Sequence, residues 1–228
     1  MTTFVNDTMT GTAGTALESH TGETGATWAK HGSYSTGAMV LTNANRVRAN
    51  ALPEALYYAS GSPAAAEYDV QLVVRALSDI NDDGGPCGRI DTAANTFYIA
   101  DCTQNGTHAV DIYKVVTGTW TSLGSYNNTW TIGQDFTVKL EIRDAAKKVY
   151  IGGVERISSS DNSITAAGKA GIYVDVPAAG GYGNAAGLHF DSFQAVAGGL
   201  GATVNQVTET DIAQALAKLK FKTIGQNT

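Results

Sequence analysis

The chain has 228 residues, a formal net charge of -6 and only 16% charged residues. This length is enough to bury a full hydrophobic core, and it suits one domain with an appendage. The acidic balance argues against nucleic-acid binding, and no apolar run approaches the ~18 residues needed to cross a membrane. The 26 glycines against 4 prolines are typical of an all-β protein with many turns.

The first 37 residues are rich in threonine and glycine and contain few apolar positions. A strand is predicted around Trp28, whose large ring is expected to anchor it on the core. The opening stretch MTTFVNDTMTGTAG has neither the basic start nor the apolar middle of a secretory signal. We therefore expect the protein to be made in a cytoplasm and exported, if at all, by other means.

The middle of the chain contains regularly spaced short strands. Residues 39–41 and 46–49 form a predicted hairpin, and residues 68–76 alternate between apolar and polar side chains. Residues 95–101 and 109–116 are further predicted strands on either side of an Asn-Gly turn. By contrast, residues 78–88 contain three glycines, one proline and several acids, and they are interpreted as a turn loop.

This acidic loop has two interpretations. Asp79, Asn81 and Asp83 match the first half of a calcium loop, D-x-N-x-D-G, and their oxygen ligands suit a hard cation. Ile90 stands where such a loop needs a bidentate glutamate, and the flanking segments are strands rather than helices. The alternative is a solvated acidic turn without a metal, and calcium is the only cofactor that the sequence suggests.

The two cysteines, Cys87 and Cys102, flank a predicted hairpin. Antiparallel neighbours at such positions lie within disulfide distance, so one prediction is a bond between them. The other is a pair of buried reduced thiols, as is usual for proteins folded in a reducing cytosol. Their spacing fits no zinc motif.

The strongest strand pattern spans residues 135–177. Apolar residues at 136, 138, 140 and 142 alternate with polar ones, which predicts a half-buried antiparallel strand. Strands follow at 149–151, at 154–157 after a Gly-Gly turn, and at 171–176 after a polar loop. No helical periodicity of useful length precedes residue 200.

The order of these strands and glycines resembles that of concanavalin A-like (laminin G-like) jelly rolls over roughly residues 6–196. The resemblance implies an all-β sandwich of two antiparallel sheets, formed by residues 1–197. The opening segment also resembles that of structural proteins of tailed bacteriophages with this fold. There the first strand lies beside the last, which implies that residues 6–8 approach residues 189–191.

The last 31 or so residues differ from the sandwich in character. Residues 198–201 have the composition of a glycine-rich hinge, and residues 202–228 carry a partial 20-residue repeat. The stretch QVTETDIAQAL resembles a short repeat of phage and prophage virion proteins. The sequence does not distinguish a helix from a strand in this docking segment. Its apolar residues are predicted to be buried against a partner: Val204, Val207, Ile212, Leu216, Leu219 and Phe221.

No catalytic pattern is found, and we predict that the protein is not an enzyme. Nucleophile-elbow, zinc-protease and phosphate-binding motifs are absent. Glucanases of this fold carry an acidic E-x-D-x-E strand that supplies the carboxylate pair for glycoside cleavage. Here Asp175 stands alone on its strand, and Glu67 with Asp69 are interpreted as surface acids.

The leading hypothesis is a virion surface protein that decorates or cements a phage capsid. It rests on the resemblance of both ends of the chain to phage virion proteins. Its partners would be the major capsid protein or another virion protein, and copies of itself in a homo-oligomer. The alternative is a carbohydrate-binding module of a tail fibre or lectin. In that case Tyr182, Trp120 and Trp130 are the predicted stacking platforms for sugar rings.

Overall fold

A computed structural model describes residues 2–79, 81–104, 108–127, 129–177 and 182–198 of the chain. Within these ranges it has two three-residue 3-10 helices, Leu17–Ser19 and Gly32–Tyr34, and none of its helices is long and apolar enough to span a membrane. The strands follow one another along the chain as β1 Thr2–Asp7, β2 Trp28–Lys30, β3 Ala38–Leu41, β4 Val47–Ala51, β5 Glu54–Ala59, β6 Tyr68–Ala76, β7 Asp82–Asp91, β8 Thr96–Gln104, β9 Ala109–Val116, β10 Thr119–Asn127, β11 Asp135–Ile142, β12 Ala146–Ile151, β13 Val154–Ser160, β14 Lys169–Asp175 and β15 Leu188–Ala197.

These strands form two antiparallel sheets, which confirms the predicted sandwich. The eight-stranded sheet has the order β13-β12-β11-β6-β15-β4-β3, with β1 added against β15. The seven-stranded sheet has the order β10-β9-β8-β7-β14-β5-β2. Neighbouring strands such as β7 and β14, or β6 and β15, are far apart in sequence, so the topology brings distant residues onto one face.

The alternating strand pattern of residues 135–142 is confirmed and places their apolar side chains in the core. Val138, Leu140 and Ile142 of β11 are fully buried between the two sheets. Gly152 and Gly153 both have positive φ and make the tight turn from β12 to β13. The core between the sheets is continuous, since buried residues of both sheets belong to one hydrophobic cluster.

The first strand lies beside the last, as the resemblance implied, but with a different register. Asn6 is opposite Gln194 and Asp7 is opposite Phe193, rather than residues 189–191. The register differs because β15 bulges around Ser192, which has φ of 51°, and its earlier residues pair with β4 instead.

The interpretation of residues 78–88 as a turn loop is wrong, because most of them belong to the central strand β7. Its glycines lie where neighbouring strands approach too closely for a side chain. A Cβ on Gly85 would collide with the carbonyl oxygen of Ala100, and one on Gly84 with that of Tyr173. Glycine therefore marks close backbone packing here, not a turn.

The two cysteines are free thiols, so the disulfide considered above does not form. Cys87 packs with Phe97 on the outer face of the seven-stranded sheet, whereas Cys102 belongs to the core between the sheets. Because side chains on opposite faces of a sheet point away from each other, the two sulfur atoms are not placed for a bond.

Candidate functional site

A groove of about 550 Å³ lies on the outer face of the seven-stranded sheet. It is lined by acids that come from five different strands, one from each: Glu54, Asp83, Asp101, Asp111 and Asp175. The strand register explains how they meet. Glu54 is opposite Asp175, Asp175 is opposite Asp83, and Asp101 is opposite Asp111.

One end of this groove is aromatic. The ring centroid of Trp120 in β10 lies 5.5 Å from the ring centroids of both Tyr113 in β9 and Tyr173 in β14. Below these rings, Phe97 lies 5.8 Å from Trp120 and is itself fully buried. Trp120 is nevertheless 36% exposed, so its ring is held from beneath and open to solvent at the groove.

Asp101 occupies the floor of the groove and is 6% exposed. Its Oδ1 atom is buried and has no hydrogen-bond partner. Burial raises the pKa of Asp101 well above its ordinary value, and the nearby carboxylates of Asp83, Asp111 and Asp175 raise it further. The backbone N–H of Gly84 lies near enough to lower the pKa of Asp101, but the Oδ1 atom remains a buried acceptor without a partner in the protein.

Two acids near Asp101, Asp175 and Asp83, also have raised pKa values. Burial, together with Glu54 and Asp83, raises the pKa of Asp175 to about 6. Burial also raises the pKa of Asp83, with a further contribution from Asp111. The Oε2 atom of Glu54 accepts a hydrogen bond of 2.7 Å from the Tyr173 hydroxyl. Clustered carboxylates with raised pKa values are characteristic of functional sites.

The three predicted stacking residues occupy different environments. Trp120 lines the groove, as described above. Trp130 is 8% exposed, and its ring is covered by stacking against His108 on one side and Phe136 on the other, at 4.8 and 4.7 Å. Tyr182 is half-buried against the core and is not among the residues that line the groove.

Of the predicted calcium ligands, Asp79 and Asn81 precede strand β7, and Asp83 belongs to it. Asp79 has an oxygen 3.5 Å from Nε2 of His108, whereas Asp83 is a strand residue facing the groove. In the described ranges, no group of three histidine, cysteine, aspartate or glutamate residues is placed to hold a metal ion. The docking segment 202–228, with Val204, Val207, Ile212, Leu216, Leu219 and Phe221, lies outside the described residues.

Sequence inspection did not detect the acids of the groove as a group. Asp175 was expected to be isolated, and the structure shows that its acidic neighbours come from other strands. Asp69, interpreted as a surface acid, is instead buried on the eight-stranded sheet, 2.8 Å from Arg143 and 3.4 Å from Lys139. The sequence does contain one indication of the groove. Asp101 and Thr103 lie on the same face at the polar end of the otherwise apolar strand β8.

Chemically, the groove offers hydrogen-bond acceptors beside a flat aromatic surface. Carboxylates accept hydrogen bonds from hydroxyl or amine donors, and the indole ring packs against an apolar ring face. A volume of about 550 Å³ lies within the range of ~300–1,000 Å³ that is typical of small-ligand sites. The arrangement suits a ligand with many donors and one apolar face.

Solved structures with a similar chain path share this architecture. A carbohydrate-binding module from Bacillus subtilis, CBM66, superposes with a TM-score of 0.55 and 18% identity, covering 74% of this chain and 90% of its own. A β-glucanase from Bacillus licheniformis gives a TM-score of 0.56 and 10% identity, covering 84% of this chain and 97% of its own. No family model matches the sequence, and no curated protein matches it. These likenesses show that the chain has an all-β sandwich of the concanavalin A-like fold.

Proposed function

We propose that the protein binds carbohydrate in the groove on the outer face of its seven-stranded sheet. The observation that carries this proposal is the position of Trp120, which is exposed at the groove yet fixed by Tyr113 and Tyr173. A rigid aromatic ring beside hydrogen-bond acceptors provides stacking for the apolar face of a pyranose and partners for its hydroxyls.

The comparison with CBM66 supports this proposal at the level of the fold. Because a similar fold also occurs in a glucanase, the fold alone does not separate binding from cleavage. We favour binding without cleavage, because no described strand carries two acids that line the groove. The E-x-D-x-E pattern of the glucanases is likewise missing from the sequence.

Replacing Trp120 with alanine should weaken glycan binding by about 10- to 100-fold, because the stacking surface is lost. The ligand is first identified by screening the purified protein on a glycan array. Its affinity is then measured by isothermal titration calorimetry for the parent and for Trp120→Ala.

Val154→Ala is the matched control, since Val154 is an exposed apolar residue at the start of β13, on the other sheet. It should bind as the parent does, and both variants should retain the parent's melting temperature within a few degrees. Equal affinities for parent and Trp120→Ala would overturn the groove as the binding site. The release of reducing ends from the bound glycan would show a hydrolase instead.

We further propose that this module is displayed on a bacteriophage particle through residues 202–228. This part of the proposal rests on the sequence resemblance of the opening and of QVTETDIAQAL to phage virion proteins. Many symmetric copies on a particle would convert a modest affinity for single glycans into tight attachment through avidity.

A protein lacking residues 202–228 should keep its fold and its glycan affinity but no longer co-sediment with purified virions of its source phage. The reason is that the apolar residues of the segment would supply the contact with the capsid or another virion protein. Circular dichroism checks the fold, and the full-length chain serves as the positive control. Undiminished co-sedimentation of the truncated protein would contradict attachment through this segment.

A further inference from the structure

The groove is unusual in having several negative charges and no positive charge along its lining. The acids Glu54, Asp83, Asp101, Asp111 and Asp175 are its charged residues, and no lysine, arginine or histidine is among the described residues that line it. Other acids of the described residues are paired with cations. Asp69, for example, contacts Arg143 and Lys139, and Asp161 contacts Lys114 at 2.6 Å.

The strand register places these like charges directly opposite one another. Asp175 has Glu54 on one side and Asp83 on the other, while Asp101 faces Asp111. Directly opposed like charges destabilise a sheet, so the fold alone gives no reason for this arrangement. A positively charged ligand in the groove would relieve the repulsion, because it would lie close to all of these carboxyl groups.

Asp101 provides an independent indication of a ligand. It is more than nine-tenths buried, lines the groove, and leaves its Oδ1 atom without a partner. Buried polar atoms in folded proteins nearly always have a partner. An ammonium group donates up to three hydrogen bonds in different directions, so it can satisfy such an acceptor and its neighbours together.

The arrangement does not suit a bare metal ion. The described residues contain no group of three histidine, cysteine, aspartate or glutamate residues that could hold one. The carboxyl groups line a volume of about 550 Å³ rather than converging on one point. A larger cation, whose charge is attached to a ring that stacks on Trp120, matches both the size of the groove and its aromatic end.

On the basis of the proposed carbohydrate-binding function, we propose that the groove selects sugars that carry a protonated amine, such as 2-amino-2-deoxy-hexose units, and rejects sugars that carry a carboxylate or sulfate. Asp101 is the principal partner of the amine, with Asp111, Asp83 and Asp175 around it. Trp120 stacks on the sugar ring that bears the amine.

The test compares two ligands that differ at one position, where a protonated amine in the first is replaced by a neutral acetamide in the second. Oligomers of β-1,4-linked glucosamine and the same oligomers in N-acetylated form are titrated into the full-length protein by calorimetry. A protonated amine that forms charge-assisted hydrogen bonds should bind at least about tenfold more tightly than the acetylated form. Oligogalacturonate of the same length serves as the anionic ligand and should show no binding.

Two variants locate the effect in the groove. Asp101→Asn keeps the shape of the side chain but removes its ability to carry a negative charge, and it should abolish most of the preference for the amine oligomer over the acetylated oligomer. Asp144→Asn is the control, because Asp144 is an exposed acid of the turn before β12. It should retain the full preference.

The outcomes separate this inference from the proposed function. Equal affinity for amine and acetylated oligomers, or tighter binding of the acetylated form, would overturn the selectivity while leaving carbohydrate binding intact. An unchanged preference in Asp101→Asn would also contradict the assignment. Failure of the protein to bind any glycan on the array would overturn both the selectivity and the proposed function.

Discussion

Replacing Asp7 with alanine should lower the free energy of unfolding by about 3–5 kcal/mol, the usual cost of removing one partner of a buried, hydrogen-bonded polar network. The Asp7 side chain is fully buried at the end of β1. Its Oδ1 atom is 3.0 Å from Nε2 of His20 and accepts a 2.7 Å hydrogen bond from the backbone N–H of Met9. Its Oδ2 atom accepts a 2.7 Å bond from the indole N–H of Trp28.

The loss is large because three buried groups would lose their partner at once. The alanine variant leaves the polar groups of His20, Trp28 and Met9 unsatisfied in a region with little solvent access. For a domain of this size the melting temperature should fall by about 10 °C or more, as measured by calorimetry or circular dichroism.

Two further variants, Asp7→Asn and Asp144→Ala, serve as comparisons for Asp7→Ala. Asparagine keeps the shape and one acceptor oxygen, so its effect should be intermediate between parent and alanine. The exposed Asp144→Ala change should stay within about 0.5 kcal/mol of the parent. A loss in Asp7→Ala no greater than in Asp144→Ala would show that this network contributes nothing to stability.

The stability of the protein should also fall as the pH rises from about 4 to about 7, and Asp82 should be a main cause. Asp82 of β7 is 1% exposed, and neither of its carboxyl oxygens has a hydrogen-bond partner of normal geometry, although the backbone N–H of Leu188 lies near enough to lower its pKa. Burial dominates, with contributions from Asp83 and Asp175, and raises the pKa from 3.8 to about 7.

The sign follows from proton binding in the two states. Because the folded state holds its proton up to a higher pH than the unfolded state, the stabilisation is complete below the unfolded pKa near 3.8 and is lost as the pH rises through about 7. One such group changes the unfolding free energy by about 1.4 kcal/mol per pH unit, which amounts to a total on the order of 4 kcal/mol.

Asp82→Asn should therefore reduce the slope of the unfolding free energy against pH by the contribution of one proton. It should also make the protein more stable than the parent near neutral pH. Urea unfolding at several pH values between about 4 and about 8 measures the slope. Asp175 and Asp101 should still contribute to the pH dependence of stability in this variant, since their pKa values are also raised. Parallel pH profiles for parent and Asp82→Asn would show that this carboxyl group is not the source.

The strands that could be predicted are those in which one face is apolar and the other polar. Residues 135–142 and 68–76 carry this alternation, and the strands β11 and β6 have almost the predicted bounds. The first part of strand β7, residues 82–88, was not recognised, because its glycines and Pro86 have the composition of a turn. Only the proximity of the Ala100 and Tyr173 carbonyl groups shows why glycine is needed in this strand.

The groove was predictable only in part, for a related reason. Trp120 could be selected as a stacking residue from its type alone. The acids come from five strands and span residues 54–175, so no local spacing brings them together. Their meeting depends on the register of β14 between β5 and β7, which the sequence pattern does not specify.

The pairing of β1 with β15 has a consequence for how this domain can be joined to other polypeptides. Thr2 is opposite Ala197, so residues at the two ends of the sandwich are neighbours across one strand pair, about 5 Å apart. Both belong to the eight-stranded sheet, whereas the groove belongs to the seven-stranded sheet. The domain can therefore be inserted into a surface loop of a carrier protein through two adjacent attachment points, both on the sheet that does not carry the groove.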